Sequence, residues 1–180
     1  MLVLAALNPR QLFDNEDAVA TPLGVKNVGC GDLEPLWLMA QSVPSASLIP
    51  CLQLVPVDWT VADVAVNNGR SVITLDHDRG GKAAMVVRLT ASCDLAGATE
   101  VTSEQPGARR YLRMDGDAAG FSATRAYTFP GGCITHRFSA AGPSALRLSD
   151  TASSEFGFIS REELRRALSQ RSHGRLELDP

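Results

Sequence analysis

No two cysteines in this chain stand close together: they lie at positions 30, 51, 93 and 133. Structural zinc sites draw their sulfurs in close pairs, because a tight turn presents two thiolates to one ion, so this spacing argues against zinc. It also excludes a C-x-x-C redox pair. No apolar run approaches the ~20 residues that a membrane-spanning helix needs. A glycine-rich phosphate loop, a G-x-S-x-G elbow and an H-E-x-x-H pair are all missing, which removes the commonest signatures of nucleotide, ester and metallopeptide chemistry. With a net charge of -3 the chain lacks a global basic field, so nucleic acid is not an expected partner. Lysine is scarce too: of 17 basic residues only Lys26 and Lys82 are not arginine, a bias that follows from GC-rich coding before it implies any ligand. No cofactor and no metal are expected.

An even number of widely spaced cysteines suits an oxidising compartment, where disulfides persist. Four cysteines allow three pairings. Pairing between sequence neighbours, Cys30 with Cys51 and Cys93 with Cys133, is the expectation here. Four buried thiols in a reducing cytosol remain the competing reading, since free cysteine packs as a small hydrophobe.

The composition, 44% hydrophobic and 21% charged over 180 residues, provides for one well-packed domain. The first seven residues, Met1-Leu-Val-Leu-Ala-Ala-Leu7, form an apolar stub with no basic residue ahead of it, unlike a signal peptide. They read as the remnant of a transmembrane anchor whose upstream part lies outside this chain. Residues 8–27, with Asp14, Glu16 and Asp17 and the breakers Pro22 and Gly24, read as a juxtamembrane linker, and residues 28–180 as a single extracytoplasmic domain.

Within that domain, Asp32 is placed to cap a buried helix that tolerates Pro35 in its first turn and stops before Pro44. From Leu52 onward the pattern turns to β, with strands expected near 57–66, 71–77, 83–93, 109–115, 124–129 and 133–140. Asn67-Asn68-Gly69 signals a hairpin of type I′. In the third strand Ala83, Met85, Val87, Leu89, Ala91 and Cys93 alternate with Arg88, Thr90, Ser92 and Asp94, which predicts that Cys93 faces the core. Pro130-Gly131-Gly132 before Cys133 allows a close backbone approach. Ser160-Arg-Glu-Glu163 has capping-box spacing and opens an amphipathic helix that Gly174 ends. The fold class is α+β: an antiparallel β-sheet meander with an N-terminal buried helix, a C-terminal amphipathic helix and two disulfides.

Three clusters invite chemistry. Asp76-His77-Asp78 supplies a base and two carboxylates, but strand alternation turns His77 away from both, beside a turn where solvated side chains are expected. His136 shares a strand face with Ile134 and Phe138 and reads as a packed histidine. Asp115-Gly-Asp117-Ala-Ala-Gly120 starts like a calcium loop, but Ala119 and Ala126 stand where ligands are required, so a polar turn is expected. Among the arginines, Arg109, Arg110, Arg113, Arg125 and Arg137 fall on neighbouring strands. Arg113, Arg125 and Arg137, if on one face, would bind an anion such as a phosphate head group or acidic glycan; a solvated face balanced by Asp and Glu is the competing reading.

The segment Gly29-Cys-Gly-Asp-Leu-Glu-Pro-Leu-Trp-Leu-Met-Ala-Gln-Ser-Val-Pro-Ser-Ala46, with Pro50-Cys51 and Phe129-Pro-Gly-Gly-Cys133, resembles a group of actinobacterial single-pass membrane proteins with an extracytoplasmic domain. The resemblance covers about residues 20 to 165. It implies topology, a membrane anchor ahead of Leu7 and a domain on the outer side, and brings no activity with it. The expected function is therefore a non-enzymatic, membrane-tethered domain of the cell envelope that binds a partner protein, lipid or glycan. An envelope hydrolase or transferase using Asp76 and His77, or His136, is the alternative.

Overall fold

The computed structural model describes residues 21–22, 27–117, 120–140, 145–175 and 177–178. The apolar stub at 1–7, most of the 8–27 stretch and the side chains of the calcium-loop-like turn at 115–119 lie outside the described residues.

The first helix, α1 (Leu33–Ser42), buries Pro35, Leu36, Met39 and Ala40. Its start differs from expectation. The Asp32 carboxylate does not cap the helix but turns back to accept from the Gly29 amide at 2.8 Å, while the Asp32 amide donates to the Gly29 carbonyl at 2.9 Å. That closed turn satisfies polar groups next to Cys30 instead of the helix amides. The far end of α1 has no basic residue of its own; Arg161, arriving from the other end of the chain, donates to the Ala40 carbonyl at 2.9 Å and supplies the positive charge that a helix C-terminus favours.

A large antiparallel sheet carries the domain. Its strands are β1 (Thr21–Pro22), β3 (Trp59–Asn67), β4 (Arg70–His77), β5 (Gly81–Thr90), β6 (Thr99–Val101), β7 (Arg109–Asp117), β8 (Gly120–Phe129) and β9 (Gly132–Ala140), in the spatial order β1-β3-β4-β5-β9-β8-β7-β6. Two up-and-down runs, β3 to β5 and β6 to β9, thus meet at the β5–β9 pair. The chain leaves β5, crosses to the far edge and meanders back. A second, two-stranded ladder pairs β2 (Leu48–Leu52) with β10 (Phe156–Ser160). The stretch expected to be a linker contributes β1, whose Thr21 and Pro22 pair with Val66 and Ala65.

Register divides the large sheet into two faces, because residues opposite one another across antiparallel strands share a side. Trp59, Val61 and Val64 of β3, Ile73 and Leu75 of β4, Met85, Val87 and Leu89 of β5, and Ile134 and Phe138 of β9 make the inner face. The β2–β10 ladder, α1, α2 (Ala145–Ser154) and α3 (Arg161–Ser172) cover it. α3 begins with a complete capping box: the Ser160 hydroxyl accepts from the Glu163 amide, and the Glu163 carboxylate accepts from the Ser160 amide at 3.0 Å. The helix ends with His173 and Gly174 both left-handed, at φ 53° and 76°.

The hairpin between β3 and β4 is present, with Asn67 opposite Arg70, but only Gly69 of its two turn residues is left-handed, at φ 85°. A type I′ turn needs both, so that part of the expectation fails. The Gly69 amide donates instead to the Ser42 carbonyl at 2.7 Å, and this contact with the end of α1 sets the local conformation. The close approach expected at Gly131 is realised. A Cβ there would stand 1.8 Å from the Ser45 carbonyl oxygen, and the Ser45 hydroxyl donates to the Gly131 carbonyl at 2.6 Å.

Candidate functional site

All four cysteines are paired, Cys30 with Cys51 and Cys93 with Cys133, at Cα separations of 4.8 and 5.8 Å. The first bridge joins the segment before α1 to β2, beside the Gly29–Leu52 bridge of the backbone. The second joins the exit of β5 to the start of β9. Its placement corrects one expectation. β5 ends at Thr90, so the alternation does not run on to Cys93, which is half-buried; Cys133 is in register with Thr90 and Thr128 on the sheet's outer side and is nonetheless buried there, at 1% exposure.

The Asp76–His77–Asp78 cluster is dispersed by its backbone. Asp76 lies on the outer face, where its carboxylate accepts from Lys82 Nζ at 2.5 Å and from the Ala83 amide at 2.8 Å. Those bonds, the lysine's first, hold its carboxyl below the ordinary range. His77 is buried, not solvated: its ring sits 4.7 Å from Trp59, and Nδ1 accepts from the amides of Gly80 at 2.8 Å and Arg79 at 3.2 Å. The imidazole closes the β4–β5 turn, with its accepting nitrogen already occupied by backbone donors.

His136 is packed as expected. It is 2% exposed and lies among Tyr127, Phe156 and Phe158, with ring centroids at 5.3, 5.0 and 6.2 Å. Neither ring nitrogen has a hydrogen-bond partner among the described residues. Burial, helped by the nearby Arg125 guanidinium, pushes its pKa down to about 3, so the ring is neutral at physiological pH. No group of three or more His, Cys, Asp or Glu among the described residues is arranged to hold a metal ion.

The arginines divide between the two faces. Arg125 pairs with His136 and therefore lies on the inner side, ion-paired with Asp150 of α2. Arg110 is also inner, bonded to Glu104, which accepts the Tyr127 hydroxyl at 2.7 Å. Burial, then the bond to Glu104, pushes Tyr127 up to about 12. Arg113 and Arg137 lie on the outer face, on either side of Thr124: Arg113 pairs with Thr124 across β7–β8 and Thr124 with Arg137 across β8–β9. Arg113 Nη1 also donates to the Ala96 carbonyl at 2.9 Å. The three arginines expected to act together are thus two on the outer face and one on the inner face, because residues 113 and 125 belong to antiparallel strands whose register offsets them by one.

Two further features were not legible in the sequence. Arg70 and Arg88 join the outer face, opposite Thr90 and Thr135; the alternation of β5 gave the side of Arg88, but strand order was needed to bring it beside Arg137. An open cleft of about 490 Å³ lies against the first disulfide, lined by Cys30, Cys51, Gln53, Gln105, Phe158 and Glu163 among others. Its carboxylate, from Glu163, is already engaged in the α3 capping box. No family model, no curated protein and no solved structure matches this chain.

Proposed function

We propose that this chain is a non-enzymatic, membrane-tethered binding domain on the outer side of the cell membrane, engaging another component of the envelope: a partner protein, a lipid or a glycan. The observation that carries this reading is the pairing of all four cysteines, which suits an oxidising compartment. The tether rests on the apolar stub at 1–7; among the described residues no helix is long and apolar enough to cross a membrane. Binding is favoured over hydrolysis or group transfer because the ionisable groups suited to catalysis are used structurally. Asp76 is held by Lys82, His77 by two backbone amides, and His136 is sealed among aromatic rings. Among the described residues the helices stand on one side of the sheet, and the partner is expected on the other.

Fractionation of the native cells tests this. The full-length protein is expected in the membrane fraction, oxidised when thiols are trapped at lysis, and cleaved when protease is added to cells with the wall removed and the membrane intact. A protease-resistant, cytosolic protein with four reactive thiols would sink the proposal.

A further inference from the structure

We propose that the outward edge of β10 is a second binding site, one that takes an extended, uncharged peptide segment of a partner protein as an added strand. The site is separate from the outer face of the large sheet and goes beyond the binding function above.

Backbone alternation along β10 sets it up. In an antiparallel pair alternate residues turn their amide and carbonyl toward the partner strand, and the residues between turn theirs away. At the two ends of the ladder the Gln53 amide donates to the Glu155 carbonyl and the Arg161 amide to the Ser47 carbonyl, both at 2.8 Å. Residues 155, 157, 159 and 161 therefore face β2, and the backbone groups of Phe156, Phe158 and Ser160 face the other way. Pro50, which has no amide to give, stands opposite Phe158, as this alternation requires. The Ser160 amide is taken by the Glu163 carboxylate at 3.0 Å. Among the described residues no strand pairs with β10 on that side, and no backbone group bonds Phe156 or Phe158 there. Unpaired strand donors and acceptors are a template for another strand.

The cleft beside the first disulfide opens along this edge. Glu163, which holds the outward Ser160 amide, lines it together with Gly157 and Phe158. Gln53 Nε2 lies 2.9 Å from where a Cβ on Gly157 would stand, so the Gln53 amide sits over the ladder at this point.

The lining selects the occupant. It contains no lysine or arginine, and its one carboxylate is already bonded to Ser160. A phosphate head group or an acidic glycan finds no counter-charge there. What the cleft offers instead is the primary amides of Gln53 and Gln105, each with donors and an acceptor that match a peptide backbone, beside the apolar surface of Ile159 and Ala167. Apolar surface also continues along the chain: of the four exposed large apolar side chains among the described residues, three, Leu54, Val55 and Val57, follow Gln53 directly. An added strand exchanges backbone hydrogen bonds with Phe158 and lays alternate side chains against that surface, which is how strand addition divides affinity from specificity.

Amide exchange and peptide selection test the proposal on purified, oxidised protein. In the free protein the Gly157 and Ile159 amides, bonded to β2, are expected to exchange slowly and the Phe158 amide quickly. A phage-displayed library of random linear heptapeptides is panned on the protein, and an enriched peptide is synthesised. At ten times its Kd this peptide is expected to slow Phe158 exchange by about tenfold. N-methylation of its alternate amides is expected to weaken binding by roughly fivefold or more, and this arm needs no protein variant. Gln53→Ala and Gln105→Ala are each expected to weaken it by about three- to tenfold, while Arg165→Gln, on exposed α3, leaves it unchanged. Circular dichroism establishes that each variant is folded. Slow Phe158 exchange in the free protein, as when a second copy or the chain itself already covers the edge, would overturn the proposal. So would a library that yields no binder, a peptide that leaves Phe158 exchange unchanged, indifference to N-methylation, or equal loss in Arg165→Gln. None of these outcomes bears on the cell-fractionation result, and the reverse also holds.

Discussion

Replacing Gly131 by alanine is expected to cost more than any other single glycine-to-alanine change among the described residues, for reasons that can be worked from the structure. Gly131 sits at φ 74°, a left-handed conformation that costs an ordinary L-residue roughly 1 to 2 kcal/mol. An added Cβ would also stand 1.8 Å from the Ser45 carbonyl oxygen, a separation no pair of atoms tolerates, so the 42–47 segment or the 130–132 turn must move. Movement breaks the Ser45 hydroxyl bond to the Gly131 carbonyl and the Ser47 amide bond to the Pro130 carbonyl, at about 1 kcal/mol each. The sum is about 3 to 4 kcal/mol, or roughly 10 °C in Tm for a domain of this size. Two glycines serve as references within the same chain. Gly107 is left-handed at φ 77° but has open space around it, so Gly107→Ala should cost only the conformational part, about 1 to 2 kcal/mol. Gly31 has neither constraint, and Gly31→Ala should be neutral or stabilise by up to ~1 kcal/mol through the unfolded chain. Urea unfolding followed by circular dichroism, with thermal melts alongside, orders the three. If Gly131→Ala proves no worse than Gly107→Ala, the clamp between Ser45 and the turn before β9 does not hold the fold as described.

Other perturbations follow from particular groups. In the loop-entropy model the Cys30–Cys51 and Cys93–Cys133 bridges, 21 and 40 residues apart, stabilise the fold by about 3 and about 4 kcal/mol; paired Cys→Ser variants compared by urea midpoint should show losses of that size, and equal midpoints for oxidised and reduced protein would refute it. His136, with its pKa held at about 3 against roughly 6.5 when unfolded, contributes stability that is complete above about pH 6.5 and is lost as pH falls toward 3, since the unfolded chain takes up the proton first. Between pH 7 and 4.5 the wild type should therefore lose roughly 2 to 3 kcal/mol more than His136→Leu, and parallel losses would show that the ring is not sealed. Ser160→Ala should cost about 1 kcal/mol by opening the α3 capping box, with little further loss when Glu163→Gln is added; additive losses would mean that the two do not act as a unit.

Much of the architecture was legible because it depends on short-range physics. Alternation located β3, β4, β5, β7, β8 and β9, the Ser160–Glu163 spacing located the start of α3, and the widely spaced cysteines pointed to two bridges. Strands β2 and β10 escaped notice: Leu48–Leu52 and Phe156–Ser160 are short and carry no turn signal of their own, and they exist because each pairs with the other across more than a hundred residues. The edge strand β6, which pairs locally with β7, has only three residues and is too short to show alternation, and the short helix α2 escaped as well.

Chain-local chemistry therefore determined which segments are strands, which residues are apolar within each strand, and that His136 is a packed histidine. Only tertiary structure decided which strand lies beside which. That decision placed Arg125 on the inner face with Asp150, brought Arg70, Arg88, Arg137 and Arg113 onto the outer one, and set the Cys93–Cys133 bridge on the outer side. The physical reason is that side-chain alternation fixes a residue's face only relative to its own strand. Pairing register, settled by burial of the whole inner face at once, converts six separate alternations into one surface.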